Sequence, residues 1–516
     1  MLRMRQIGLI QAVILCVIPV LGFVIGLCVY FGWLEDSLVS LSDGHIVLTL
    51  YWIVLGIIII GLELVYLFAS ILKLKLEWTF LTAIVAVGIA YLLCFPVGTV
   101  PDEDAHMNTA YRYSNVMLGW SYSEEDGSLS KRANDASFQC FKRDVSLENY
   151  QNLYAHMFDM DADNTPVKVR VGNVNTCPFL YILSGAGITV GRLLGLGTAM
   201  TMLLGRLFNL AFYIIAVFMA IKIIPIAKMI LFGVSMLPMT VHLAASYNYD
   251  SIIFGLAFLT IAYWMKLAYQ NETVTWKDLL LGCLLNLFLA PCKLVNFFIC
   301  CLCLLIPSKK IGSRKKWLLF MAIAIGVAAV SLGIFQLNTI SRYGGGGTHI
   351  LVWANAETYT LSWILRNPFV YVYIIVRTLI QNVGQYMYEM VGYYLGWLNF
   401  PISNYCILGF ILLLPPCVIR MKDEPVFLKG RTKLFLCGII FCYVIMVLTG
   451  MVVGWTPLGY SVIAGVQGRY FLPILPLIML LFRTEKVSAS ESINSVLSCS
   501  LTGLQFLTVA LIFKSF

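Results

Sequence analysis

The sequence predicts an all-α polytopic membrane protein with about 13–14 transmembrane helices. Of its 516 residues, 60% are hydrophobic and 12% charged, and the mean hydropathy is +0.86, well outside the range of soluble globular domains. Many apolar runs reach the roughly 20 residues that a helix needs to cross about 30 Å of hydrocarbon. The runs are solidly apolar, whereas barrel strands alternate apolar and polar residues over about 10 positions.

The first run, 6–30, follows Arg3 and Arg5 as the core of a signal peptide would. It is too long for that, lacks a clear small-residue cleavage site and precedes further spans, so it reads as a retained first helix. Helices are expected at 7–31, 47–71 and 79–97, forming an N-terminal unit 1–97. Basic turns give the orientation. "SKKIGSRKK" (Ser308–Lys316) holds five basic residues in nine, and Lys73/Lys75, 420–433 and Arg483/Lys486 are further basic turns. All are expected in the cytoplasm, as is the N-terminus. The net charge of +9 therefore reports orientation, and no nucleic-acid partner is implied.

Residues 98–200 then form an extracytoplasmic acidic loop with interfacial helices. Its polar part, 98–176, carries 12 of the 26 acids against seven basic residues, and a loop of that length is often functional. The stretch 177–194 reads either as a span or as a helix along the outer interface. A transmembrane bundle follows at 201–336, with spans near 202–222, 227–246, 250–268, 277–290, 294–307 and 316–336. Pro291 and Lys293 mark two half-length helices turning at the outer surface. A second outer excursion, 337–401, opens on the glycines 344–347, read as a hinge because no GK[ST] element follows. The C-terminal unit, 402–516, has spans near 402–419, 433–453, 470–484 and 496–514. Most of the 15 cysteines lie in apolar runs as small core residues. Only Cys140 and Cys177 share a polar segment, as a candidate disulfide.

This threading leaves few polar residues near the outer face: Asp102, Glu103, Asp104 and His106; Arg206 and Asn209; Tyr247, Asn248 and Asp250; Lys293; and Gln467 with Arg469. Ionisable groups at membrane depth usually face an interior or a water-filled cavity. Asp250, in "SYNYDS", reads as a helix cap. Pro101 suits the first helical position, putting Asp102 and Glu103 in the first turn of an interfacial helix running to Tyr113. Asp102 and His106 would share a face, with Glu103 about 100° away. A carboxylate can deprotonate a hydroxyl acceptor, and Arg or Lys can hold a phosphate. That set suits glycosyl transfer from a polyprenyl-phosphate sugar. Three acids also offer oxygen ligands to Mg²⁺ or Mn²⁺, but adjacent acids on a regular helix cannot all face one ion, and the metal requirement stays open. A lipid-linked glycan transporter or flippase, or a glycan ligase, would need similar cations.

"VPDEDAHMNTAYRYS" resembles the PDExAH motif of a bacterial multi-pass membrane protein family of unknown function. The likeness continues through "LLGRLFNLAFY", "MLPMTVHLAASYNYDS", "YLGWLNFP" and "GWTPLGYSVIAGVQGRYFLPILPL", whose QGRYFLPxLP element is as specific as PDExAH. Many members have Pro where this chain has Asp104. The family resembles GT-C-fold glycosyltransferases, which implies a GT-C-like architecture, an acid in the first outer loop as catalytic base, and a lipid-phosphate sugar donor. For this chain the resemblance implies Asp102 as base with Glu103 next, His106 beside them, and Arg469 and Lys293 as phosphate contacts, with Gln467 and Arg206 nearby. The acceptor would be a cell-envelope glycan or lipid-linked sugar, and transfer would invert the anomeric centre. Nothing in the sequence fixes the oligomeric state.

Overall fold

The computed structural model describes residues 8–34, 44–137, 145–160, 163–172, 174, 177–344, 350–422, 424, 428–484 and 486–513. The chain is a helical bundle, and only short two-stranded pairings interrupt it. Among the described residues, eight helices are long and apolar enough to cross a membrane: Leu9–Gly32, Val47–Ile71, Leu76–Cys94, Thr198–Ile223, Asp250–Tyr269, Arg314–Arg342, Gly430–Trp455 and Ser492–Ile512. The protein is a multi-pass membrane protein, with fewer full spans than the expected 13–14.

The difference lies in broken apolar runs. The expected span near 227–246 is two short helices, Lys228–Ser235 and Pro238–Ala244, separated where Pro238 opens the second. The runs near 294–307, 402–419 and 470–484 are shorter apolar helices, Leu294–Leu305, Asn404–Val418 and Gly468–Leu481. Apolar composition alone does not separate such segments from spans, because a half-helix buried in the bundle is as apolar as one crossing lipid. Ile182–Leu193, left open as a span or an interfacial helix, has 12 residues and packs between Thr198–Ile223 and Glu103–Met117. Its approach to Thr198–Ile223 requires glycine, since a Cβ on Gly187 would collide with the Leu204 carbonyl.

A 24-residue helix, Pro368–Val391, occupies the middle of what read as an outer excursion. Proline stands at its first position, and Gly392 ends it in a left-handed conformation (φ 117°). The glycines 345–347 and Cys140, one half of the candidate disulfide, lie outside the described residues; Cys177 is buried.

The acidic loop is organised around the helix Glu103–Met117. Strand Leu129–Arg132 pairs antiparallel with Pro166–Val169. Buried polar contacts tie this unit together. Arg132 Nε donates to Asp135 at 2.7 Å, Tyr111 OH donates to the same carboxylate at 2.7 Å, and Arg192 Nη1 donates to Asn115 at 2.8 Å. Tyr150 and Tyr154 hydroxyls donate to the carbonyls of Cys94 and Leu93. They fasten the loop to the end of Leu76–Cys94.

Candidate functional site

The three successive acids point in different directions. Asp102 precedes the helix in a left-handed conformation (φ 56°, ψ 19°), and the helix begins at Glu103. A non-glycine residue at positive φ is uncommon, though Asp tolerates it better than most, and such strain collects at functional sites. Asp102 is exposed, Asp104 half-buried and Glu103 fully buried.

Glu103 is committed to the scaffold. Arg206 Nε and Nη2 donate to its two oxygens at 2.7 and 2.6 Å. The Gly98 N–H (2.8 Å) and Val100 N–H (3.4 Å) donate to Oε2, and the Tyr247 N–H donates to Oε1 at 3.0 Å. Arg206 in turn donates to the carbonyls of Phe95 and Pro96. Neither side chain has exposed surface. Glu103, expected as a catalytic acid, and Arg206, expected as a phosphate contact, are thus bonded to each other. Each is saturated by the other and by the backbone, and together they hold the 95–103 loop. The Trp397 indole braces the same loop by donating to the Gly98 carbonyl at 2.8 Å. Asn209 is fully buried, donates to the Ser246 carbonyl at 3.0 Å and keeps an Oδ1 without a hydrogen-bond partner.

Asp102 lies on the other side, where residues far apart in sequence converge. Asp250 is the first residue of its helix but caps nothing. Its Oδ1 accepts from Lys293 Nζ at 2.6 Å, and its Oδ2 is 3.7 Å from Arg469 Nη1. Asn248 fixes this turn. Its Oδ1 accepts from the Asp250 N–H at 2.8 Å, and its Nδ2 donates to the Pro101 carbonyl at 3.5 Å, linking the Asp250 turn to the residue before Asp102.

Lys293 stands in extended conformation between two 3₁₀ turns, Ala290–Cys292 and Leu294–Asn296. Gln336 secures the break by donating to the Pro291 carbonyl at 2.7 Å. The Lys293 ammonium sits over the rings of Tyr249 and Tyr470, 4.8 and 5.3 Å from their centroids. Arg469 is placed by Gly468, whose N–H donates to Glu389 at 2.8 Å and where a Cβ would strike the Tyr386 carbonyl. Gln467 Oε1 accepts from Arg469 Nε at 2.6 Å, so Gln467 orients the guanidinium. Arg469 Nη1 is buried with no hydrogen-bond partner, and Asp102 lies close enough for its charge to act on Arg469.

His106, one turn below Asp102, is buried with Nδ1 2.7 Å from the Tyr181 hydroxyl. It packs edge-on against Tyr249, 4.8 Å between centroids. Burial pulls its pKa down to about 3; Asp250 opposes this, and Arg469 and Lys293 add to it. The imidazole is neutral at physiological pH. Tyr181, Tyr249 and Tyr470 wall the site and were not singled out from the sequence. The aromatic residues interleaved in "SYNYDS" and "GRYF" were the available signal. Among the described residues no three His, Cys, Asp or Glu side chains are grouped to hold a metal ion. The acids suggested for Mg²⁺ or Mn²⁺ diverge, with Glu103 consumed by Arg206.

The residues that build the site all fall within residues 84–478, which match the family model described as "Predicted membrane protein (DUF2142)". The chain belongs to the DUF2142 family. No curated protein and no solved structure matches this family member.

Proposed function

We propose that this DUF2142 protein is an inverting, GT-C-type glycosyltransferase that moves a sugar from a polyprenyl-phosphate donor to a cell-envelope glycan or lipid-linked acceptor at the outer face of the membrane. The observation that carries the reading is the buried Nη1 of Arg469, which makes no hydrogen bond although it shares Asp250 with the Lys293 ammonium, with the exposed Asp102 close enough for its charge to act on Arg469. Leaving a buried donor unpaired costs about 1–3 kcal/mol, a cost that a phosphoryl oxygen would remove on binding. In the transfer step the acceptor oxygen bonds to the anomeric carbon as the bond from that carbon to the phosphate oxygen breaks. Asp102 takes the acceptor proton, and Arg469 and Lys293 receive the charge that gathers on the leaving phosphate. Asp250 keeps the two cations in place, and neutral His106 supports the Asp102 face.

The test is Asp102→Asn, purified and supplied with polyprenyl-phosphate sugars. It should fold, retain donor binding and lose transfer by about 10²- to 10⁴-fold. Undiminished transfer would remove Asp102 as base. A flippase or a ligase would also use the cations, but a flippase has no need of the carboxylate, so lipid-linked glycan transport insensitive to Asp102→Asn would favour it. Sidedness is checked by cysteine labelling from outside intact cells. A cysteine at exposed Glu125 should react and one at Ser313 should not; the reverse pattern would place the site in the cytoplasm.

A further inference from the structure

The bundle has a second polar feature at its other end. The helix Leu76–Cys94 finishes beside the Glu103 loop, and its first residues open on a cavity of about 900 Å³. Nineteen residues of helix separate the two, about 28 Å at 1.5 Å per residue. Four lysines line this cavity, Lys73, Lys75, Lys222 and Lys228, against Glu77, Glu424 and Glu491.

Two of the glutamates already face cations, although Glu77 Oε2 makes no hydrogen bond. Glu77 lies 3.6 Å from Lys228. Glu424 is ion-paired with Arg483 and accepts the N–H groups of Ala227 and Met421. Lys73, Lys75 and Lys222 remain, all exposed, and among the described lining residues Glu491 is the further acid that faces them. Helix ends of both signs meet here. Leu76–Cys94, Lys228–Ser235 and Ser492–Ile512 begin at the cavity, while Leu67–Ile71 and Thr198–Ile223 end there. Asn404–Val418 also ends there, at Cys417, so positive and negative helix ends balance and the net positive field comes from the lysines.

The cavity also holds unfilled polar atoms. Ser498, fully buried, lines it with an Oγ that has no hydrogen-bond partner, and Asn494 Oδ1 has none either. Apolar side chains such as Leu74, Leu76, Met229 and Val496 complete the wall.

From this we infer a binding site for the head group of an anionic phospholipid that carries free hydroxyls. The three lysines would receive the phosphodiester, Ser498 Oγ would donate a further hydrogen bond, and a head-group hydroxyl would donate to Asn494 Oδ1. A membrane lipid suits the place better than a soluble phosphate ester, because the cavity opens among the ends of bilayer-spanning helices and is partly apolar. The site is independent of the glycosyl-transfer reading and uses none of its residues.

Native mass spectrometry of the full chain from nanodiscs of mixed phosphatidylglycerol and phosphatidylcholine tests this. The wild type should retain phosphatidylglycerol in preference to phosphatidylcholine. The triple variant Lys73→Gln/Lys75→Gln/Lys222→Gln should lower that retention at least tenfold. Ser498→Leu, which fills the cavity without changing charge, should lower it as well. Removing three cations elsewhere at the same end, Lys309→Gln/Arg314→Gln/Lys315→Gln, should leave it unchanged. Equal loss in the two triple variants, or wild-type retention in the cavity triple variant, would overturn the site. Displacement of the lipid by millimolar inorganic phosphate or glycerol phosphate would overturn the assignment to a lipid.

Discussion

Two buried carboxylates, Glu103 and Asp250, face two different fates in this protein. Glu103 is surrounded by donors, two from Arg206 and three from backbone N–H groups. Asp250 has one close cation, Lys293, and a second, Arg469, whose Nη1 is held at 3.7 Å and makes no hydrogen bond. The first arrangement leaves nothing for a ligand to do, since every polar atom is already matched. The second keeps positive charge in place but incompletely neutralised, the state a phosphate-binding site needs before its ligand arrives. Burial and charge are common to both, so neither identifies a site. What separates them is whether hydrogen-bonding capacity is left over.

The largest expected effect comes from breaking the saturated pair. Arg206→Met strands the Glu103 carboxylate in the core and frees the Phe95 and Pro96 carbonyls. Removing one partner of a buried ion pair typically costs about 3–5 kcal/mol. The variant should lose most folded protein in detergent size-exclusion chromatography, and surviving material should melt well below wild type. Normal yield and melting with lost activity would instead put Arg206 in the chemistry.

Arg469→Ala should behave in the opposite way. Lys293 still pairs Asp250 at 2.6 Å and only the longer 3.7 Å ion pair from Arg469 is lost, so folding and melting should fall much less than in Arg206→Met. Charge-assisted contacts contribute about 1.5–3 kcal/mol, so donor use should weaken about 10- to 100-fold. Arg469→Lys should restore it in part, because an ammonium lacks the guanidinium fork that Gln467 orients. A measured apparent donor affinity equal to wild type in Arg469→Ala would show that the unfilled Nη1 binds no donor.

The sequence made the members of this site legible but not their division of labour. Asp102, His106, Asp250, Lys293 and Arg469 stand out because few polar residues lie near the outer ends of apolar runs. Helical periodicity also separates Asp102 from Glu103. Which of the two faces inward depends on Arg206, 103 residues further along, and no local pattern encodes that pairing. Local spacing placed Asp102 inside the helix, whereas it precedes the helix in the left-handed region. The expected spans and the eight long apolar helices among the described residues differ for a related reason. The break at Lys293 was legible from Pro291 and Lys293, whereas Pro238 interrupts an apolar run that composition alone reads as whole. Pro368–Val391 escaped notice despite Pro368 and Gly392 at its ends, because its buried positions, among them Ile374, Thr378, Tyr386 and Glu389, are partly polar.

The smallest expected effect concerns His106, which belongs to the open side of the comparison yet is itself tightly packed. Its folded-state pKa is lowered to about 3, against about 6.5 for an unperturbed histidine. Below pH 6.5 the unfolded chain takes up a proton that the folded chain refuses. The unfolded state therefore binds more protons across the window from about 6.5 to 3, and stability falls as pH is lowered through it. The contribution approaches about 1.4 kcal/mol per pH unit within that window and vanishes above it. His106→Gln cannot titrate, so its melting temperature should fall less steeply than wild type between pH 6 and 4 (values of about that range bracket the window), with the two curves parallel above pH 7. Because the imidazole is already neutral at working pH, the activity profile of the wild type should show no inflection near 6.5 that His106→Gln abolishes. An inflection there that disappears in the variant would mean that His106 exchanges protons with solvent or substrate, and would move it from supporting the Asp102 face into the proton transfer itself.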